Sequence, residues 1–194
     1  MIYYFLYIFF ESFILNAFPL FGAPFTLLSI PILVKLGINN LNILIISTIL
    51  GIGAATGKLI MYIIGLLLSK PLKNNKNMNF IKSIYRNKYF IIIIFLLAIL
   101  PFLPLDDLLF LSFGIEKIRI VLYYIIELFG KIIKSFIELF IEINILKEIS
   151  TIVNVSLINL SIYSSIIFII LSIIFFKFDW EKYINKWISK EKSG

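Results

Sequence analysis

The sequence predicts an all-α integral membrane protein: an inverted repeat of two re-entrant, proline-broken helical hairpins, each followed by a transmembrane helix, then a final span and a C-terminal interfacial helix. Three observations predict it. The 194 residues are 61% hydrophobic and 15% charged, whereas soluble domains are about half apolar and about a quarter charged. Prolines interrupt the apolar stretches at intervals too short to cross a bilayer. Charged residues also lie inside the apolar stretches, at helical spacing. A polytopic membrane domain is expected over residues 1–176 and a cytoplasmic amphipathic tail over residues 177–194.

The chain opens on Met1-Ile2-Tyr3-Tyr4-Phe5-Leu6-Tyr7, with no basic stretch ahead of the apolar run and with Glu11 interrupting it, so it is not read as a cleaved signal peptide. Residues 2–36 are apolar but carry Pro19, Gly22, Pro24 and Pro31. Proline removes a backbone donor and disfavours continuous helix, and broken backbone at membrane depth must be covered by protein or line a water-filled cavity. A helix followed by a hairpin turning around Phe18–Pro24 is expected. Residues 41–69 form a long span carrying Gly51, Gly53, Gly57 and Lys58.

The segment 70–88 holds Lys70, Lys73, Lys76, Lys82, Arg86 and Lys88 and no acid. Basic loops mark the cytoplasmic side. Residues 89–114 are apolar again and broken at Pro101 and Pro104, followed by Asp106 and Asp107. Phe90–Leu100 covers about half a bilayer at ~1.5 Å per residue, so this stretch reads as a second re-entrant hairpin. Spans are expected at 118–141 and 152–176, with 142–151 connecting them. If 89–114 dips and returns, the basic tail also lands in the cytoplasm. There Trp180, Tyr183, Ile184, Trp187 and Ile188 share one helical face, with lysines on the rest, as in a helix lying at the headgroup level.

The chain then reads as two related halves. Pro19 and Pro24 precede a span with Gly57-Lys58; Pro101 and Pro104 precede a span with Gly130-Lys131. The two hairpins are expected to dip from opposite faces, a recurring plan in transporters with a site near the midplane. A charge at mid-bilayer costs at least ~2.5 kcal/mol on insertion scales and so faces protein or water. Glu127, Lys131, Lys134 and Glu138 are spaced +4, +3 and +4, which places all four on one helix face. Lys58, Asp106, Asp107, Glu127, Lys131 and Lys134 form the expected substrate or proton pathway. Mutual neutralisation that fixes helix register is the alternative account of the same residues.

Chemistry is narrowed by what is missing. There is no histidine and no cysteine, which excludes Ser-His-Asp triads, histidine or thiolate metal sites and disulfides. No nucleophile–base set, metal cluster or cofactor motif is apparent, so an enzyme is not expected. The net charge of +7 is read as topology rather than nucleic-acid binding.

The stretches Asn16-Ala17-Phe18-Pro19-Leu20-Phe21-Gly22-Ala23-Pro24, Gly53-Ala54-Ala55-Thr56-Gly57-Lys58 through Gly65, Leu103-Pro104-Leu105-Asp106-Asp107 through Gly114, and Gly130-Lys131 resemble the VTT-domain membrane proteins, the DedA family and its SNARE-associated Golgi-type relatives. The resemblance covers about residues 10–140. It implies two re-entrant hairpins in inverted repeat and a role in flipping or scrambling lipids, including polyprenyl-phosphate carriers, with protons as a proposed coupling ion. Asp106 and Asp107 take the acidic position of the second hairpin. Lys58 and Lys131 stand where similar proteins often carry arginine, and lysine lacks the bidentate phosphate fork. The first hairpin carries no acid at Gly22-Ala23-Pro24.

The expected function is a flippase or scramblase of a phosphate-bearing lipid in the cell membrane, working in a groove between the hairpins. Its partners are membrane lipids, with protons a candidate coupling ion and a homo-oligomer left open. The alternatives are a proton- or ion-coupled transporter of a small solute and a non-transporting membrane assembly protein.

Overall fold

The structure, a computed structural model, describes residues 1–17, 25–69, 90–100 and 105–177. The expected turns at Pro19, Pro24, Pro101 and Pro104, the basic segment 70–88 and the amphipathic tail beyond Lys177 lie outside the described residues. Within them the fold is all-helical: α1 (Ile2–Ala17), α2 (Phe25–Leu36), α3 (Asn40–Leu67), α4 (Phe90–Ile99), α5 (Leu105–Ile115), α6 (Val121–Val153) and α7 (Leu157–Lys177).

The order short, short, long occurs twice, as α1-α2-α3 and α4-α5-α6. Helix α3 is central and packs against α1, α2, α5 and α6. Leu50, Ile46 and Ile43 of α3 share a core with Leu139, Ile143 and Leu146 of α6. At the other end of α3 the Tyr62 hydroxyl donates to the Ile118 carbonyl just before α6, 3.0 Å away. The two long helices therefore run antiparallel. They cross closely at Gly51, where a Cβ would sit 2.6 Å from the Ile132 Cα.

Each half repeats one contact. A Cβ on Gly57 would lie 2.6 Å from the Phe13 carbonyl and 2.9 Å from the Asn16 backbone, at the end of α1. A Cβ on Gly130 would lie 2.5 Å from the Ala98 Cβ, at the end of α4. In both halves the glycine before the lysine receives the last turn of the first short helix of that half. Ser12 reinforces the first contact by donating to the Leu50 carbonyl at 2.7 Å. A second close approach joins the halves: a Cβ on Gly65 would strike the Leu111 carbonyl, and one on Gly114 the Tyr62 carbonyl.

The links between elements follow from local chemistry. Gly37, at φ 94, turns the chain from α2 to α3, and the Asn39 side chain caps α3 by accepting from the Asn42 N–H at 2.8 Å. Asn154, at φ 58 and ψ 33, ends α6 in the left-handed region, which asparagine tolerates better than most residues.

Two expectations are corrected. The segment 142–151 does not connect two spans: it is the last part of α6. It holds no glycine or proline, and it buries Glu142, Ile143 and Leu146. The break comes at Asn154 instead, and the axes of α6 and α7 differ by 111°. Pro31 does not interrupt its segment either, since α2 runs through it. The neighbouring Ile30, Ile32 and Leu33 are buried in the core, and their packing outweighs the one backbone bond that proline removes.

Among the described helices, α3 alone is long and apolar enough to cross a membrane by itself; α6 and α7 meet the same measure only together, as a bent pair. The charges of α6 lower its apolar score, yet they face inward. Glu127, Lys131 and Glu138 are buried while Phe129, Phe140 and Ile145 are exposed. Helix α4 likewise exposes Ile91, Ile92, Ile93 and Leu96.

Candidate functional site

The site is assembled by three helices. Helix α5 begins just after Pro104 and places Asp106 and Asp107 in its first turn, where a negative charge complements the unpaired N–H groups and the helix dipole. Helix α3 presents Lys58 one position after Gly57. Helix α6 presents Lys131 one position after Gly130, with Glu127 one turn earlier. The glycines set the depth: each lets a short helix close against the long one, so the adjacent lysine is held in the interior.

Asp106 is the bridge. Its Oδ2 lies 2.5 Å from Lys131 Nζ and 3.2 Å from Lys58 Nζ. Asp107 Oδ1 accepts a hydrogen bond from Lys58 Nζ. Glu127 Oε1 lies 3.6 Å from Lys131 Nζ. Lys58 and Lys131 are each 2% exposed, Asp106 1% and Glu127 0%. Two ammonium groups thus share three carboxyl groups in a buried interior. Isolated ions are excluded from such surroundings, and only paired, hydrogen-bonded ones persist.

The pair Lys134–Glu138 lies one turn further along α6, at 3.9 Å. Lys134 therefore belongs to the same buried face but not to the contacts of Asp106 and Asp107. The face continues to Glu142, whose Oε1 accepts from the Thr26 hydroxyl of α2 at 2.8 Å. Glu142 lies 15 positions after Glu127, so the stripe spans about 22 Å at ~1.5 Å per residue.

The structure thus brings together Lys58, Asp106, Asp107, Glu127 and Lys131, and places Lys134 next to them in an ion pair of its own. Thr26 and Glu142 were not among the residues singled out from the sequence. Both had a signal. Glu142 extends the helical spacing by four from Glu138. Thr26 is two residues after Pro24, as Asp106 is two residues after Pro104. The halves differ here: the second short helix of one half delivers an aspartate to both lysines, and that of the other delivers a hydroxyl to a carboxylate three turns along α6.

The arrangement holds two ammonium groups against carboxylates. The lysines point at carboxylates near a helix N-terminus, a setting that also suits phosphate oxygens. Among the described residues no group of three or more His, Cys, Asp or Glu is placed to hold a metal ion. No protein-family model, curated protein or solved structure matches the chain.

Proposed function

We propose that the chain is a multi-pass membrane protein that moves a phosphate-bearing lipid across the bilayer, with Lys58 and Lys131 as the headgroup-binding cations. The observation that carries this reading is the inside-out character of the molecule around one cluster. Lysines and carboxylates are buried at the contact of α3, α5 and α6, while large apolar side chains of α1, α4, α6 and α7 are exposed. A buried charge and an exposed apolar face are the informative departures from a water-soluble pattern. Lipid tails around the bundle account for the second, and a polar path between helices for the first.

On this reading the two halves are inverted repeats, in keeping with their antiparallel long helices. Helix α4 has 10 residues, about 15 Å of helix, half of a ~30 Å hydrocarbon core. A half-length hairpin leaves polar backbone at mid-depth, where a headgroup can be accompanied. The resting cluster holds the lysines with Asp106 and Asp107. An arriving phosphate supplies oxygens of the same kind, displaces the carboxylates and is released when they return.

A second reading rests on the closure of the cluster. Each ammonium already has carboxylate partners and is buried, as suits a device that fixes helix register in an assembly protein without transport. A proton- or ion-coupled solute transporter on the same scaffold is a third.

Reconstitution separates them. Purified protein in liposomes should accelerate translocation of fluorescent phospholipid or polyprenyl-phosphate probes. The Asp106→Asn/Asp107→Asn variant should lose that activity while retaining its helical content. Rates equal to those of empty liposomes for every lipid would remove the lipid reading, and a dependence on an imposed pH gradient would indicate coupling.

A further inference from the structure

A groove of about 470 Å³ opens between α1 and α2, lined by Tyr7, Phe10, Glu11, Ile14, Leu15 and Leu28. Its walls are apolar except at Glu11. Both carboxylate oxygens of Glu11 are buried and lack a hydrogen-bond partner, and no ion pair reaches them among the described residues. This is the opposite of the α3–α5–α6 cluster, where every carboxylate meets a lysine. Burying a carboxylate without a partner is costly, and a cationic group seated in the groove would relieve that cost.

The surroundings select the kind of cation. Calcium and magnesium need six or more oxygens around them, and the groove offers one carboxylate set in apolar walls. Tyr7 lies one helical turn before Glu11 and Phe10 sits beside it in the groove, and aromatic faces attract alkylammonium groups. Ile14, Leu15 and Leu28 continue the wall with nothing polar, which suits a hydrocarbon chain. Tyr7, Phe10 and Ile14 are each more than half exposed, so the groove is reached from outside the bundle. Its size falls in the ~300–1,000 Å³ range of small-ligand sites.

We infer that this groove binds the alkylammonium head of an amphiphile, with Glu11 as counter-ion, Tyr7 and Phe10 against the ammonium, and the chain along Ile14, Leu15 and Leu28. The site lies apart from the lysine cluster and takes a ligand head of the opposite charge. It goes beyond the phosphate-lipid reading, and it stands if translocation of phosphate lipids fails.

The test is photolabelling of the full chain in nanodiscs of phosphatidylcholine-free, anionic lipid. Two diazirine probes share one dodecyl chain, the first ending in trimethylammonium and the second in a hydroxyl. The ammonium probe should label α1 and α2 at least tenfold more than the alcohol. Glu11→Gln, which keeps the side-chain shape, should bring the ammonium probe down to the alcohol's level. Leu28→Trp, which fills the groove, should suppress both. Competition by dodecylammonium or by an aminolipid tells which source of the ammonium the groove accepts; competition by neither overturns the inference. Equal labelling by the two probes, or labelling unchanged in Glu11→Gln, also overturns it.

Discussion

Replacing Lys131 with methionine tests the buried cluster most sharply. Methionine keeps an unbranched apolar stem and deletes the charge. In the native protein Lys131 Nζ lies 2.5 Å from Asp106 and 3.6 Å from Glu127. Without it, Lys58 alone faces Asp106, Asp107 and Glu127. Removing one partner of a buried ion pair costs about 3–5 kcal/mol. Against the ~5–15 kcal/mol that holds a typical domain folded, K131M should lose at least about a fifth of its stability. Asp106→Asn leaves two lysines and two carboxylates, so it should cost less, about 1–3 kcal/mol. The K131M/D106N double variant removes both members of the Lys131–Asp106 pair. Its loss should fall short of the sum of the singles by about 0.5–3 kcal/mol. Equilibrium unfolding in mixed micelles, followed by helical circular dichroism, measures all three. K131M within about 0.5 kcal/mol of the wild type, or strict additivity in the double variant, would refute a buried, coupled cluster.

Three further outcomes follow from single contacts. Gly130→Ala places a Cβ 2.5 Å from that of Ala98 and should cost about 1–3 kcal/mol in the same assay by overpacking; Gly57→Ala, against the Phe13 carbonyl, should behave alike. Thr26→Val keeps the shape but strips Glu142 of its hydroxyl donor, and the loss of a hydrogen bond to a buried group should cost about 1–3 kcal/mol, read as a lower melting temperature. Asn154→Ala must adopt the left-handed conformation that ends α6 and should lose about 1 kcal/mol, whereas Asn154→Gly should match or exceed the wild type.

The composition and the spacing of Glu127, Lys131, Lys134 and Glu138 made the helical class and the inward face of α6 legible, because a 3.6-residue period is written directly in the sequence. The meeting of Lys58 with Asp106 was not written in the same way. The two residues are 48 positions apart, and they meet because the close approaches at Gly65 and Gly114 let α5 lie along α3. The end of α6 was misplaced for a physical reason: Glu142, Lys147 and Glu148 resemble a polar connection by composition, but they are sound helix formers, and Glu142 is drawn inward by Thr26. Pro31 misled in the same direction, since a single proline in a helix packed on several sides removes one bond without ending it.

If Lys58 and Lys131 exchange their aspartates for a lipid phosphate, phosphorus comes close to both Nζ atoms. Solid-state NMR of the protein in bilayers, with ¹⁵N in the lysine side chains and ³¹P in the lipid, measures that contact as dephasing of the Nζ signals. Other lysines contribute as well, so Lys58→Arg and Lys131→Arg, which keep the charge and delete the label, identify these two signals by difference. Both identified signals should dephase when a phosphate-bearing lipid is added. Two buried lysine signals that remain unaffected by ³¹P, in protein that is folded and bilayer-embedded, would contradict it.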